Sequence, residues 1–241
     1  MVRRAAGLVV VAATSMASSC GTTAPTPSYE PKQCSSSAAL GWHVIGDSVA
    51  EMSATNGAGD AICWWAAQLH NQRPTIAAVG GAKYSDHLAK NTFSKVANFT
   101  GTKVLVQLGT NDVGQISNLT AAQQTTEWNA INTRLGTAID NLLATGSTAS
   151  KAKCVYLVGL NEKQDSATGS LARYYSNSEA VKFNGWLQSK ATGSNRVVYI
   201  PFTAFGSDYP AMLGDGIHPA TDNAKIRYAQ TVLAQMKANC S

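Results

Sequence analysis

The chain has 241 residues, 44% of them apolar and 14% charged, with a formal net charge of +5. That composition supplies enough apolar material for a real core and excludes intrinsic disorder. No run of Lys or Arg is longer than two residues, so no nucleic-acid footprint is present and no nucleic-acid partner is expected.

In chain order, "MVRRAAGLVVVAATSMASSCG" opens with two arginines, continues with a short apolar run and ends in small residues at Cys20. This predicts a secretory signal over residues 1–19, too short and too weakly apolar to span a bilayer. "ASSC" resembles a loose bacterial lipobox with Ala17 where leucine is usual, which makes Cys20 a candidate lipid-attachment site and membrane anchor. Cleavage after residue 19 would lower the net charge to +3. The Pro/Ser/Thr-rich stretch to residue 37 lacks an apolar period and is expected to be an extended tether of roughly 50 Å at about 3.3 Å per residue. The folded domain is then expected over 38–241, acting as a monomer.

From residue 42 onward strand and helix patterns alternate. "WHVIGDS" (42–48), "TIAAVGG" (75–81), "TKVLVQLGTND" (102–112), "KCVYLVGL" (153–160) and "NRVVYIPF" (195–202) are short apolar runs that stop at turn residues. Helical spacing marks 61–71, 120–146, the region around 176–191, and 219–240, where Pro219 stands in the first turn. Five strands alternating with helices predict a mostly parallel sheet covered on both faces, in the α/β class. In such a sheet the functional crevice lies at the carboxyl ends of the strands.

Those ends carry chemistry. Ser48 follows the first strand, Gly80 and Gly81 the second, and Gly109 and Asn111 the third; Asp215 and His218 share the loop "LGDGIHPAT" after the fifth. A serine hydroxyl needs an adjacent base to be a nucleophile, and neutral imidazole is suited to that task near neutral pH. The imidazole must keep its proton on the far nitrogen, which an acceptor such as Asp215 enforces. The amides of Ser48 and of Gly81 or Gly80, with the Asn111 side chain, are candidate donors to an oxyanion.

"IGDSVAE", the glycines after the second strand, "LGTND" and "DGIHP" together resemble the four blocks of the SGNH hydrolases, also called the GDSL family. The resemblance spans about residues 42–239. It implies a flavodoxin-like three-layer α/β/α sandwich with Ser48 as nucleophile and amide donor, His218 as base and Asp215 as its orienting partner. Gly81 and Asn111 would complete the oxyanion hole, with no metal and no organic cofactor. Alanines stand in "IAAVGGA" where family members often have an asparagine, which leaves Gly80 and Gly81 both open as the donor; "GAKYSD" favours Gly81. The implied activity is hydrolysis of a lipid, small-acyl or glycan ester. Polysaccharide O-deacetylation or O-acyl transfer is the second reading, and a non-catalytic surface binding module on a retained hydrolase fold the third.

The remaining signals are weaker. Asp47 reads as a loop-holding acceptor and Asp112 as local turn chemistry, while His43, His70 and His87 read as strand, helix-surface and loop residues. Of the adjacent Trp64 and Trp65 at least one is expected in the core. No "GxSxG" elbow and no "HExxH" occurs. With Cys20 lipidated, Cys34, Cys63, Cys154 and Cys240 predict two disulfides in any of three connectivities, Cys154–Cys240 being the favoured pair.

Overall fold

The computed structural model describes residues 27–34, 39–52, 56–97, 103–114, 116–143, 152–166, 170–171 and 173–238. The leader, Cys20 and Cys240 lie outside the described residues. Strands β2 (Ala39–Gly46), β3 (Gln72–Ala78), β4 (Lys103–Gln107), β5 (Cys154–Val158) and β6 (Val197–Ile200) are parallel. A two-residue β1 (Lys32–Gln33) pairs antiparallel with β3, giving the order β1-β3-β2-β4-β5-β6. The sheet therefore has six strands where the sequence indicates five.

The core follows from the apolar runs. All five residues of β5 are buried, as are Val104–Gln107 of β4, so both faces of the sheet need a helical layer. Helix α1 (Gly59–His70) packs on α7 (Asp222–Ala238). Helices α2 (Tyr84–Ala89) and α3 (Thr92–Ala97) pack on α5 (Ala121–Leu143), and α6 (Asn177–Thr192) reaches α5 where Trp186 meets Trp128 edge to face. Helix α5 buries Trp128, Ile131, Leu135, Ala138, Ile139 and Leu142, one stripe at three- and four-residue spacing. The short α4 (Thr110–Val113) follows β4 directly.

The end of the expected tether belongs to the fold. Cys34 is buried and disulfide-bonded to Cys63 on α1, its amide donates to the Pro74 carbonyl, and β1 covers the open edge of β3. The composition of 21–37 gave no hint of this, because two polar residues carry no strand period. The edge it covers is irregular: Pro74 has no N–H to donate, and β2 slips register between Leu40 and His43 where β3 advances from Arg73 to Thr75. Cys154 is also disulfide-bonded; the expected partner, Cys240, lies outside the described residues. Of the tryptophan pair, Trp65 packs partly buried against the core while Trp64 is 55% exposed. No described helix is long and apolar enough to cross a membrane.

The Cys34–Cys63 link closes a loop with a sequence separation of 29, for which loop-closure entropy predicts about 3.6 kcal/mol of stabilisation. A Cys34→Ala/Cys63→Ala variant should unfold at a correspondingly lower urea midpoint, and an unchanged midpoint would show that the link contributes nothing.

Candidate active site

Strand register brings three of the loops together. Gly46 of β2 is level with Ala78 of β3 on one side and with Gln107 of β4 on the other. Two residues beyond the ends of these strands stand Ser48, Gly80 and Gly109, at the carboxyl edge of a sheet whose neighbouring strands are about 4.8 Å apart. β2 is also where the strand order reverses, first toward β3 and then toward β4. A crevice forms at such a point because the chain leaves on both sides.

The fourth loop comes from the C-terminal end. The turn before α7 presents His218 so that its Nε2 lies 2.6 Å from Ser48 Oγ, across 170 residues of sequence. Its Nδ1 lies 2.6 Å from Asp215 Oδ2. The second carboxylate oxygen of Asp215 accepts the backbone amides of Ile217 at 2.9 Å and His218 at 2.7 Å. Partial burial raises the Asp215 pKa, but the His218 amide bond, the His218 side-chain bond and the Ile217 amide together outweigh it, and the net pKa is lowered. Asp215 is therefore an ionised acceptor. The proton of a neutral imidazole then sits on Nδ1, leaving the Nε2 lone pair for the serine O–H. All three sequence-predicted residues meet.

The turn is itself pinned. The carbonyl of Gly216 accepts the side-chain amides of Asn161 and Gln164 from the loop after β5, and the carbonyl of Asp215 accepts the Leu171 amide. None of these residues stood out in sequence, since their role depends on a contact more than forty residues away.

The candidate oxyanion donors lie on the segments after β2, β3 and β4. Among the described residues, the backbone N–H groups of Ser48, Gly80 and Gly81 donate to no protein acceptor. Asn111 donates one Nδ2 hydrogen to the Ala82 carbonyl at 3.1 Å, and its Oδ1 accepts the Tyr174 hydroxyl at 3.4 Å. These two bonds fix which end of the amide is which. Gly80 backs onto the serine: a Cβ there would lie 3.9 Å from Ser48 Cβ and 3.0 Å from a Glu51 carboxylate oxygen. Gly81, at φ +76°, faces open space. Gly109 has φ +119°, and a side chain there would strike the Phe183 ring at 2.4 Å, so only glycine lets the chain turn from β4 into α4. Tyr174 was missed because nothing local marks it.

Two further carboxylates lie buried behind the site. Asp47 accepts the Val49 amide at 3.0 Å and holds the serine turn. Asp112 accepts the Tyr84 amide at 3.2 Å, tying the loop after β4 to α2, so it is a cross-link between strand-end loops and more than local turn chemistry. Burial pushes the Asp47 carboxyl up to about 7 and the Asp112 carboxyl up to about 6, against the lowering effect of the amide each accepts. His87 is not a loop residue; it is buried on α2, with Nε2 3.0 Å from the Gly46 carbonyl, and burial lowers its pKa to about 4. The neutral ring donates to that carbonyl and supports the end of β2. His43 is buried 2.8 Å from the Thr75 hydroxyl. Among the described residues no group of three His, Cys, Asp or Glu could hold a metal ion.

Comparison with known proteins identifies the family and the fold. The profile of the GDSL-like Lipase/Acylhydrolase family matches residues 44–223. No curated protein sequence matches the chain significantly. Among solved structures, the fold is similar to an acetylxylan esterase from Geobacillus stearothermophilus (TM-score 0.62, 13% identity, 83% of this chain and 94% of that one). It is also similar to phospholipase A1 from Streptomyces albidoflavus (TM-score 0.55, 18% identity, 82% and 99%). A third similar structure is the catalytic domain of a Streptococcus pneumoniae peptidoglycan O-acetyltransferase (TM-score 0.51, 16% identity, 84% and 95%). Catalytic mutants of the acetylxylan esterase replace a serine, and an aspartate and a histidine three positions apart.

Because Asp47 has a higher pKa folded than its ordinary value of 3.8, the folded state holds more protons than the unfolded state between about pH 4 and 7, and stability falls as pH rises through that window. Asp47→Asn should flatten this slope relative to the parent chain in urea titrations at a series of pH values. Parallel slopes would mean that Asp47 ionises freely in the fold.

Proposed function

The chain belongs to the GDSL-like lipase/acylhydrolase family, and from that premise we propose that it is an exported serine esterase working through an acyl-enzyme on Ser48. The observation that carries this reading is the unbroken hydrogen-bonded path from Ser48 Oγ through the imidazole to Asp215. In the proposed course, Ser48 Oγ attacks the ester carbonyl carbon as His218 Nε2 takes its proton. The carbonyl oxygen becomes an oxyanion that accepts from the amides of Ser48 and Gly81 and from the Asn111 side chain. The C–O bond to the alcohol breaks, and His218 returns the proton to the leaving alkoxide. Water then repeats the sequence, with His218 as base, and frees the carboxylic acid. Asp215, ionised throughout, stabilises the imidazolium that forms at each stage. Tyr174 keeps the Asn111 carbonyl end turned away so that the N–H end serves the oxyanion.

The second reading, polysaccharide O-deacetylation or O-acyl transfer, is favoured by two of the similar folds, which act on acetylxylan and peptidoglycan. Transfer differs from hydrolysis only in whether a sugar hydroxyl or water deacylates Ser48. Export is supported by the leader pattern and by a disulfide, which reducing cytosol would not maintain. With Tyr29 packed on His87 and Cys34 bonded to Cys63, the proposed tether from a lipidated Cys20 ends before Tyr29.

Ser48→Ala should lower kcat for p-nitrophenyl acetate by about 10³-fold or more, because nothing else in the site can carry the acyl group. Retention of activity would favour the non-catalytic surface module and remove the esterase reading. Asn111→Ala should lower kcat by about 10²-fold with KM little changed, since its N–H meets a charge that exists only after attack. A rise in KM at constant kcat would make Asn111 a ground-state contact.

A further inference from the structure

Beyond the Asp215–His218 turn, the carboxyl ends of β5 and β6 open into a groove of about 660 Å³ that the acyl-transfer chemistry does not use. Its volume is that of a ligand site. Tyr199, Phe202 and Pro210 give it ring faces, and Gln188, Thr203 and Ser207 give it hydrogen-bonding groups. Among the described residues, the charged ones lining it are Glu162 and Lys163, which cancel.

The groove is mechanically joined to the catalytic turn. Asn161 lines it and donates to the Gly216 carbonyl, between Asp215 and His218. Asn161 and Phe202 also form the wall shared with a one-water cavity of about 20 Å³ lined by Val49 and Ile217, the chain neighbours of Ser48 and His218. Its loop is held rigidly: the buried Asn184 side chain accepts the Leu160 amide at 2.8 Å, donates to the Leu160 carbonyl at 3.0 Å and donates to Glu162 at 2.7 Å.

We propose that this groove is a subsite for a neutral glycan chain whose esterified unit is presented to Ser48. The composition selects that occupant. A fatty acyl chain would leave the amide and hydroxyl groups of Gln188, Thr203 and Ser207 facing hydrocarbon, which costs free energy for each unpaired group. A polyanion would require an excess of basic residues, and Lys163 is offset by Glu162. A sugar chain offers C–H faces to Tyr199 and Phe202 and hydroxyls to the polar groups between them. The assignment rests on the serine-esterase reading and deepens it, naming the alcohol part of the ester as a sugar within a polymer.

The test compares three substrates, acetylated xylan, p-nitrophenyl acetate and p-nitrophenyl palmitate, in the full chain and in two variants, Thr203→Trp and Gln188→Trp. Both positions are exposed, so the new ring fills the groove without opening the core. The expected result is a loss of about tenfold or more in kcat/KM on the polymer, with p-nitrophenyl acetate hydrolysis unchanged. Equal losses on the polymer and on p-nitrophenyl acetate, or no loss on either, would overturn the proposal. So would a selective loss on p-nitrophenyl palmitate, which would make the groove an acyl pocket, or a parent chain that hydrolyses p-nitrophenyl acetate and leaves acetylated xylan untouched. Failure of the esterase reading itself looks different, since it shows as Ser48→Ala keeping its activity on the small ester.

Discussion

One hydrogen bond, from Ser48 to His218, spans 170 residues of chain and depends on every layer of the fold. The serine end is set by β2, a buried strand that can run only where its neighbours β3 and β4 pair with it. The imidazole end is set by a turn with no regular structure of its own. That turn holds because Asp215 spends one oxygen on two backbone amides and the other on the ring, while Asn161 and Gln164 grip the carbonyl between them. Loss of any of these leaves a polar group unpaired and an imidazole free to rotate, so the geometry tends to hold or fail as a unit.

The three carboxylates at this edge show how environment divides one functional group into separate roles. Asp215 is partly buried but meets three donors, so it stays ionised and orients the His218 ring. Asp47 and Asp112 each accept a backbone amide in a buried setting, and burial raises their affinity for a proton. They hold strand-end loops in register at some cost to stability at neutral pH. Such a cost is common where a site must be rigid and polar at once.

Much of this was legible in sequence because the chemistry sits where apolar runs stop. A buried strand that stops at glycine is a local signal, and three such stops marked Ser48, the glycine pair and Asn111, while the Asp215–His218 loop was marked by an acid three positions before a histidine and a proline. What escaped was whatever depends on distant partners. The β1 strand is only Lys-Gln, visible as structure once Cys34 is fastened to Cys63 and its amide to Pro74. Asp112 looks like a turn residue until Tyr84 arrives from another loop. Tyr174 gains its role from Asn111, 63 residues away. Expected strand ends also overran, as at 102–112, where Gly109 turns the chain sharply into α4 after Gln107.

Selectivity is then a matter of what surrounds the serine and the imidazole. In the proposed reaction the serine, the imidazole and the donors address only the carbonyl carbon and its oxygen, atoms that every ester shares. They cannot distinguish a lipid from a glycan. Discrimination needs contacts with the acyl or alcohol part, and those must come from loops that the acyl-transfer steps leave free to vary. The loops after β5 and β6 are such elements: they lie beside the catalytic turn, carry rings and neutral polar groups, and are braced by Asn184 from α6. Because Asn161 belongs both to this wall and to the support of Gly216, a chain seated in the groove would press on the same scaffold that aims the imidazole. Binding energy from remote parts of a polymer could in that way be expressed at the reacting centre, raising turnover on the polymer above that on a small ester with the identical acyl group.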